Sequence, residues 1–166
     1  MTAFGADVKG YKGKDTHVDL FVGSELAPRF FGWGIPTGPD EGRIGIATTL
    51  PHKPMPFFRD YFLKGAPSKL LGGAKIINLI SGLIPFGVAS PSYTDNIILT
   101  GDAAGMAKPT SGGGIYSGLI SADAAFEVAS KALKSGDLSS VNLSEYQTLI
   151  VNRIGGELTK GSYLRK

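Results

Sequence analysis

The stretch Gly101-Asp102-Ala103-Ala104-Gly105-Met106-Ala107-Lys108-Pro109-Thr110-Ser111-Gly112-Gly113-Gly114-Ile115-Tyr116-Ser117-Gly118 decides how this chain is read. A short apolar run, Asn96 to Thr100, precedes it, and an amphipathic helical pattern from Ile115 to Leu133 follows. Strand, Gly-Asp turn, Pro/Gly-rich loop and helix start together make a cradle for an extended, partly anionic ligand. The glycines let backbone come close and take unusual dihedrals. The first helical turn offers unpaired N–H groups at the positive end of the helix dipole. A carboxylate placed directly after the strand, Asp102, can accept hydrogen bonds from sugar or polyol hydroxyls.

These residues resemble the second FAD motif of the p-hydroxybenzoate hydroxylase class of flavoproteins. Within that class, GDAAG followed by PTSGGGIYSGL is most similar to the geranylgeranyl reductase family. The resemblance implies use of reduced FAD to saturate double bonds of prenyl chains in membrane lipids or a related prenyl substrate. It implies that Asp102 contacts the ribityl arm, that Gly114 and Ile115 face the pyrimidine edge of the flavin, and that Gly101, Pro109, Gly112 and Gly113 shape the loop around it. The external reductant stays open.

A second likeness lies upstream. Pro28-Arg29-Phe30-Phe31-Gly32-Trp33-Gly34-Ile35-Pro36 is similar to the family's Pro-x-x-Tyr-x-Trp-x-Phe-Pro segment, which lines the substrate cavity. Phe31 stands where the family has Tyr and Ile35 where it has Phe, so no phenol is available here as a proton donor. The likeness implies substrate contacts for Phe31, Trp33 and Pro36. Read from residues alone, the same run is also an aromatic-rich strand packed on a core. No catalytic residue can be named.

The G-x-G-x-x-G turn that binds the ADP half of a dinucleotide does not occur in residues 1–100. The chain therefore reads as an internal or C-terminal piece of a longer flavoprotein, ending at Tyr163-Leu164-Arg165-Lys166 without a helix stop signal. Two regions are expected: 1–92, a portion of the substrate-binding domain, and 93–166, the C-terminal part of the FAD-binding domain with a trailing helix. The fold class is mixed α/β with α+β character, an antiparallel sheet with helices joined to the strand–loop–helix.

Composition agrees with one sizeable core in 166 residues. The 24 glycines are many, as expected where backbone approaches a cofactor. A net charge of +3 with no basic cluster among aromatics argues against nucleic acid. Without cysteine there is no disulfide or thiolate metal site, and His17 and His52 lack partners at ligand spacing, so no metal is expected. No basic region followed by an apolar core marks a signal peptide. The expected location is cytoplasmic, or peripheral to the membrane.

Strands are expected at Val18–Val22, with Val18, Leu20 and Val22 as its apolar face, at Phe30–Ile35, and at Arg43–Thr49. Helices are expected at Pro56–Lys64 and Ser68–Ser81. The run 70–88, LLGGAKIINLISGLIPFGV, is too interrupted to span a bilayer. It reads as a cover over an apolar cavity, a peripheral membrane contact, or an ordinary amphipathic helix on the sheet. In the helix from Ile115, the residues Ile115, Leu119, Ala122, Phe126, Ala129 and Leu133 form one stripe, with Glu127 and Lys131 an i,i+4 pair and Gly136 the stop. Asn142 or Ser144 caps the last helix. Two readings compete with the prenyl reductase: a flavin monooxygenase or halogenase of the same fold, and a non-catalytic lipid-binding or interaction domain.

Overall fold

The computed structural model describes residues 1–164; Arg165 and Lys166 lie outside the described residues. The chain divides into two compact units, Met1–Leu83 and Ile84–Lys166.

The first unit is a five-stranded antiparallel sheet backed by short helices. Strands β1 (Thr2–Lys9), β2 (Asp19–Val22), β3 (Phe31–Gly38), β4 (Glu41–Thr48) and β5 (Lys75–Leu83) lie in the order β2-β3-β4-β1-β5. The β3–β4 hairpin turns at Pro39-Asp40, with Asp40 in the left-handed region at φ 64°. Helix α1 (Pro54–Phe57), a π-helical turn (Phe58–Phe62) and helix α2 (Ser68–Leu71) supply the rings and methyls of the core. Phe58 and Phe62 are buried and meet Phe4 and Phe21 edge-on, each with ring centroids 5.2 Å apart.

Three sequence expectations change here. The helix expected over Ser68–Ser81 ends at Leu71, because Gly72 and Gly73 take positive φ, 46° and 86°. The following Lys75–Leu83 is a strand, paired with β1 along its length. Its isoleucines suit a pleated ladder better than a helix. The run 70–88 is thus mostly an edge strand, and no described helix is long and apolar enough to cross a membrane. The apolar face assigned to β2 is the outer one: Val18, Leu20 and Val22 are 50%, 63% and 80% exposed, while Phe21 turns into the core.

Glycines in this sheet make room for side chains. Tyr11 is buried where a Cβ on Gly13, Gly34 or Gly42 would collide with its ring or hydroxyl. Its hydroxyl donates to Asp19 Oδ2 at 3.2 Å, and burial, reinforced by the Asp19 charge, pushes the phenol up to about 12. Part of the glycine excess therefore answers to packing rather than to a cofactor.

In the second unit, β6 (Tyr93–Thr94) and β7 (Ile97–Ile98) form a minimal hairpin, followed by a 3-10 turn (Gly101–Ala104) and helix α3 (Ile115–Ser135). Helices α4 (Ser140–Leu143) and α5 (Glu145–Ile150), a π-helical turn (Val151–Gly155) and α6 (Gly156–Leu164) complete it. Residues 84–92, grouped by sequence with the first region, are held in this unit. The Ala89 N–H donates to the Ala104 carbonyl at 3.0 Å, and both Ser92 N–H and Oγ–H donate to Gln147 Oε1 at 2.9 Å.

Helix α3 is where expected and stops at Gly136, φ 73°. Its buried side differs. Ser117, Ser121, Ala124, Val128 and Ala132 face the core, whereas Ile115, Leu119, Phe126 and Leu133 are 67–83% exposed. Small residues let α3 lie close against its neighbours, so size rather than hydrophobicity selects the inner face. Glu127 pairs with Lys131 at 3.3 Å as expected, and Arg153 bridges Asp123 and Glu127 at 2.8 and 2.7 Å. Neither Asn142 nor Ser144 caps as expected: Ser139 caps α4, its Oγ accepting the Asn142 N–H at 3.4 Å, and Ser144 precedes α5 without a side-chain cap.

Tyr146 pins the strand ahead of the loop. Its buried hydroxyl donates to the Leu99 carbonyl at 2.7 Å, and burial pushes the phenol up to about 12.

Two stability outcomes follow from these packings. Gly34→Ala should destabilise the chain by about 1–3 kcal/mol through overpacking, and Tyr11→Phe in the same molecule should recover part of it, measured as a double-mutant cycle in urea. Additive losses would place the collision elsewhere. Tyr146→Phe should cost about 1 kcal/mol, because the Leu99 carbonyl loses its donor.

Candidate functional site

In the second unit the site is built where the chain leaves β7. Gly101 takes φ 53°, and its N–H donates to Ser121 Oγ at 2.9 Å, fastening the turn to the inner face of α3. Its carbonyl accepts the Met106 N–H at 3.0 Å, closing the turn over buried Ala104. This brings Asp102 to the start of α3. A Cβ on Gly114 would collide with Asp102 Oδ1, so the carboxylate occupies space that only a glycine leaves open. Asp102 is exposed, and its carboxylate takes no hydrogen bond among the described residues.

The loop itself is ordered by backbone pairing: Lys108 N–H to the Gly113 carbonyl at 2.9 Å and Gly112 N–H to the Lys108 carbonyl at 2.8 Å. Gly113 N–H also donates to Ser111 Oγ at 3.3 Å. Gly114 occupies the N-cap of α3 and offers no side-chain cap, and Ile115 begins the helix 83% exposed. Gly101, Asp102 and Gly112 to Ile115 are thus gathered around one helix start. Pro109 is buried instead, with its ring against Gly161 of α6, and acts on the loop from behind.

Lys108, which sequence reading passed over, anchors the loop. Its Nζ pairs with Glu157 Oε1 at 2.7 Å and lies 4.7 Å from the Tyr116 ring centroid. Its place in a Gly-rich loop before an aromatic helix start was the available signal.

The exposed N-terminus of α3, a carboxylate without a partner and a cradle that a Cβ would fill suit a ligand carrying both hydroxyls and negative charge. A flavin nucleotide has that chemistry, so the residues present fit it.

In the first unit the candidate site is the face of the sheet turned away from the core. Cross-strand partners share a face. One row runs Leu20, Trp33, Gly45, Gly5, Ile80 across β2, β3, β4, β1 and β5. Trp33 lies across Gly45, where a Cβ would collide with the indole. On one side of this row sit Val22 and Phe31, as a cross-strand pair, with Phe31 edge-on to Trp33 at 6.3 Å and stacked on Phe30 at 4.2 Å. A cavity of about 60 Å³ opens between Trp33, Gly5, Arg43, Ile80 and Gly82. On the other side the row is Ile35, Arg43, Asp7 and Asn78. Arg43 Nε donates to Asp7 Oδ1 at 2.7 Å, which holds the Asp7 carboxyl below its usual range.

The structure therefore brings Phe31 and Trp33 together on one apolar face. Pro36 stands on the opposite face: its partner is Gly42, beneath the Tyr11 ring. Alternation along β3 explains the separation, because Phe31 and Trp33 are an even number of residues apart and Pro36 is not.

No protein-family profile matches the chain. Its sequence is 32% identical over 144 residues to digeranylgeranylglycerophospholipid reductase 2 of Methanococcoides burtonii, a match covering 84% of this chain and 34% of that protein. The fold is similar to a geranylgeranyl bacteriochlorophyll reductase-like protein from Thermoplasma acidophilum, with a TM-score of 0.85 at 24% identity over 99% of this chain and 42% of the other. A flavin-dependent brominase shares it at a TM-score of 0.66 and 16% identity, over 90% of this chain and 40% of its own. The sequence is thus similar to digeranylgeranylglycerophospholipid reductases, and the chain spans about a third of the length of the curated protein it matches.

Proposed function

We propose that this chain supplies the substrate-side sheet and the flavin-facing loop of an FAD-dependent reductase that saturates isoprenoid double bonds of membrane lipids. The observation that carries the reading is the Asp102–Gly114 cradle at the open start of α3. The outward apolar face around Trp33 supports it. Reduced flavin would supply the hydride. The chain's own residues would do the rest. Asp102 would accept hydrogen bonds from ribityl hydroxyls, and the α3 dipole would favour negative charge next to Gly114. Phe31 and Trp33 would hold a prenyl chain by apolar contact and keep water from it. Phe31 has no hydroxyl, so a proton at this position would have to come from another group.

The fold is shared with a halogenating flavoprotein, but the sequence likeness goes to the reductases, which favours reduction over oxygenation. Oxygen uptake by the reduced, flavin-loaded protein separates the two: uptake stimulated by a prenyl substrate would overturn the reductase reading.

The ADP-binding turn is absent from this sequence, so the 166-residue chain alone should bind FAD weakly and show no turnover. Recovery of the isolated chain with stoichiometric FAD would contradict this. In a full-length flavoprotein carrying this segment, Asp102→Ala should weaken FAD binding on the order of 10- to 100-fold, the scale of a lost charge-assisted hydrogen bond. Trp33→Ala there should lower turnover of a geranylgeranyl lipid while bound flavin holds. A purely structural Trp33 would instead lose roughly 3–5 kcal/mol of stability and shed flavin with activity.

A further inference from the structure

The helical run at the end of the second unit opens in its middle. The π-helical turn Val151–Gly155 separates α5 from α6, and two glycines, Gly155 and Gly156, follow one another there. Such turns recur where a helix is widened at a functional site. Gly156 has ordinary helical dihedrals, φ −63° and ψ −40°, so its backbone does not require glycine. Nor does packing. A Cβ on Gly156 would meet nothing within 4 Å, and one on Gly155 would meet Val151 at an ordinary 3.7 Å. Consecutive glycines inside a helical run cost stability relative to alanine. What they leave in return is open space beside the helix.

That space is a groove. Two cavities, of about 480 and 350 Å³, adjoin through Val88 and Thr159. The larger has the size of a small-molecule cleft. Its other bank is the loop at residues 87–90, where Gly87 takes φ 105° and again leaves the place of a Cβ empty. Val88, Ile150 and Val151 give it an apolar wall. Gly156, Thr159 and Lys160 share one face of α6 at i, i+3 and i+4, so the groove follows the helix axis. Among the described residues Lys160 has no ion pair, and no carboxylate lines either cavity. Gln147 Oε1 is taken by Ser92, which leaves the amide N–H groups of Gln147 as donors at the rim.

We infer that this groove binds an unbranched aliphatic carboxylate, with its chain along the glycines and its head paired with Lys160. The inference stands apart from the flavin and prenyl reading, because it concerns another surface and another class of ligand. Glycines on both banks let backbone approach closely, which suits a slim methylene chain. Donors without acceptors at the rim suit a head that only accepts, and the single free cation gives that head its charge. A small hydrophilic anion would gain nothing from the apolar wall, and a neutral alcohol nothing from Lys160.

The test is a titration of the isotope-labelled 166-residue protein with decanoate and with decanol, both below the concentrations at which they aggregate, read from assigned backbone amide resonances. The amides of Gly87, Gly155 and Gly156 should shift with both ligands, while those of Gly32 and Gly34 in the first unit stay where they are. Decanoate should bind about tenfold more tightly than decanol at low salt. Lys160→Gln should remove that preference and leave the affinity for decanol as it was. Gly156→Leu should keep or raise the melting temperature, since leucine is the better helix former, yet weaken both ligands about tenfold or more by filling the groove. In the unmodified protein the preference should shrink as salt rises, a measurement that needs no variant to fold. Unmoved groove glycines, equal binding of the two ligands, or decanoate held as tightly by Gly156→Leu would overturn the inference. Displacement of decanoate by equimolar inorganic phosphate would also overturn it, revealing a free-anion site. Shifts confined to the first unit's sheet would overturn it as well and leave the prenyl reading standing.

Discussion

One β-hairpin carries an aromatic ring on each of its faces, and missing side chains make that arrangement possible. Tyr11 sits over Gly34 and Gly42 on the core side; Trp33 lies across Gly45 on the other. A single methyl group at any of these positions would meet a ring. The Tyr11 ring fills the inner layer beside Ile44, and the hydroxyl finds Asp19, so the buried phenol is satisfied rather than orphaned. Because the sheet is thin at its glycines, both rings lie close to the backbone. The outer face can then be broad and apolar without the inner one losing density.

The second unit solves a related problem with serine and alanine. Ser121 accepts from Gly101 and donates to the Gly118 carbonyl, tying the turn to the helix at one atom. Behind them, Tyr146 fixes Leu99 and Lys108 reaches Glu157. The loop is thus held from its buried side, which leaves Asp102 and the first turn of α3 turned outward. A rigid backing of this kind presents backbone N–H groups and a carboxylate with little ordering left to do on binding.

Much of this was legible in the residues, and the failures have physical causes. The turn after β7, the start of α3 and its stop at Gly136 were readable because Gly, Pro and Asp constrain dihedrals locally. Strands β3 and β4 stand close to the runs expected at Phe30–Ile35 and Arg43–Thr49. Strand β1 was not foreseen, since Thr2 to Lys9 is rich in small residues and shows no strong apolar alternation. Without β1, nothing in the sequence signals a partner for Lys75–Leu83, and Ile76, Leu79, Ile80 and Leu83 satisfy a helical spacing as well as a strand. Pairing across the sheet decided between them. The inner face of α3 was misjudged because large apolar residues draw the eye, whereas close helix packing selects Ser117, Ser121 and Ala124. The Arg43–Asp7 pair joins positions 36 apart in sequence and only the sheet register reveals it.

Among the described residues, strand β5 closes one border of its sheet with no partner beyond it, and all nine of its residues are exposed. Every second peptide group along that border offers an N–H and a carbonyl to whatever arrives. Lys75 is its only charge, and no proline interrupts Lys75 to Leu83. Isoleucines and leucines on both sides of the pleat would be covered together by one added strand. Pairing of two copies along this border would therefore depend on how often copies meet, and stabilising the fold would leave the unpaired groups in place.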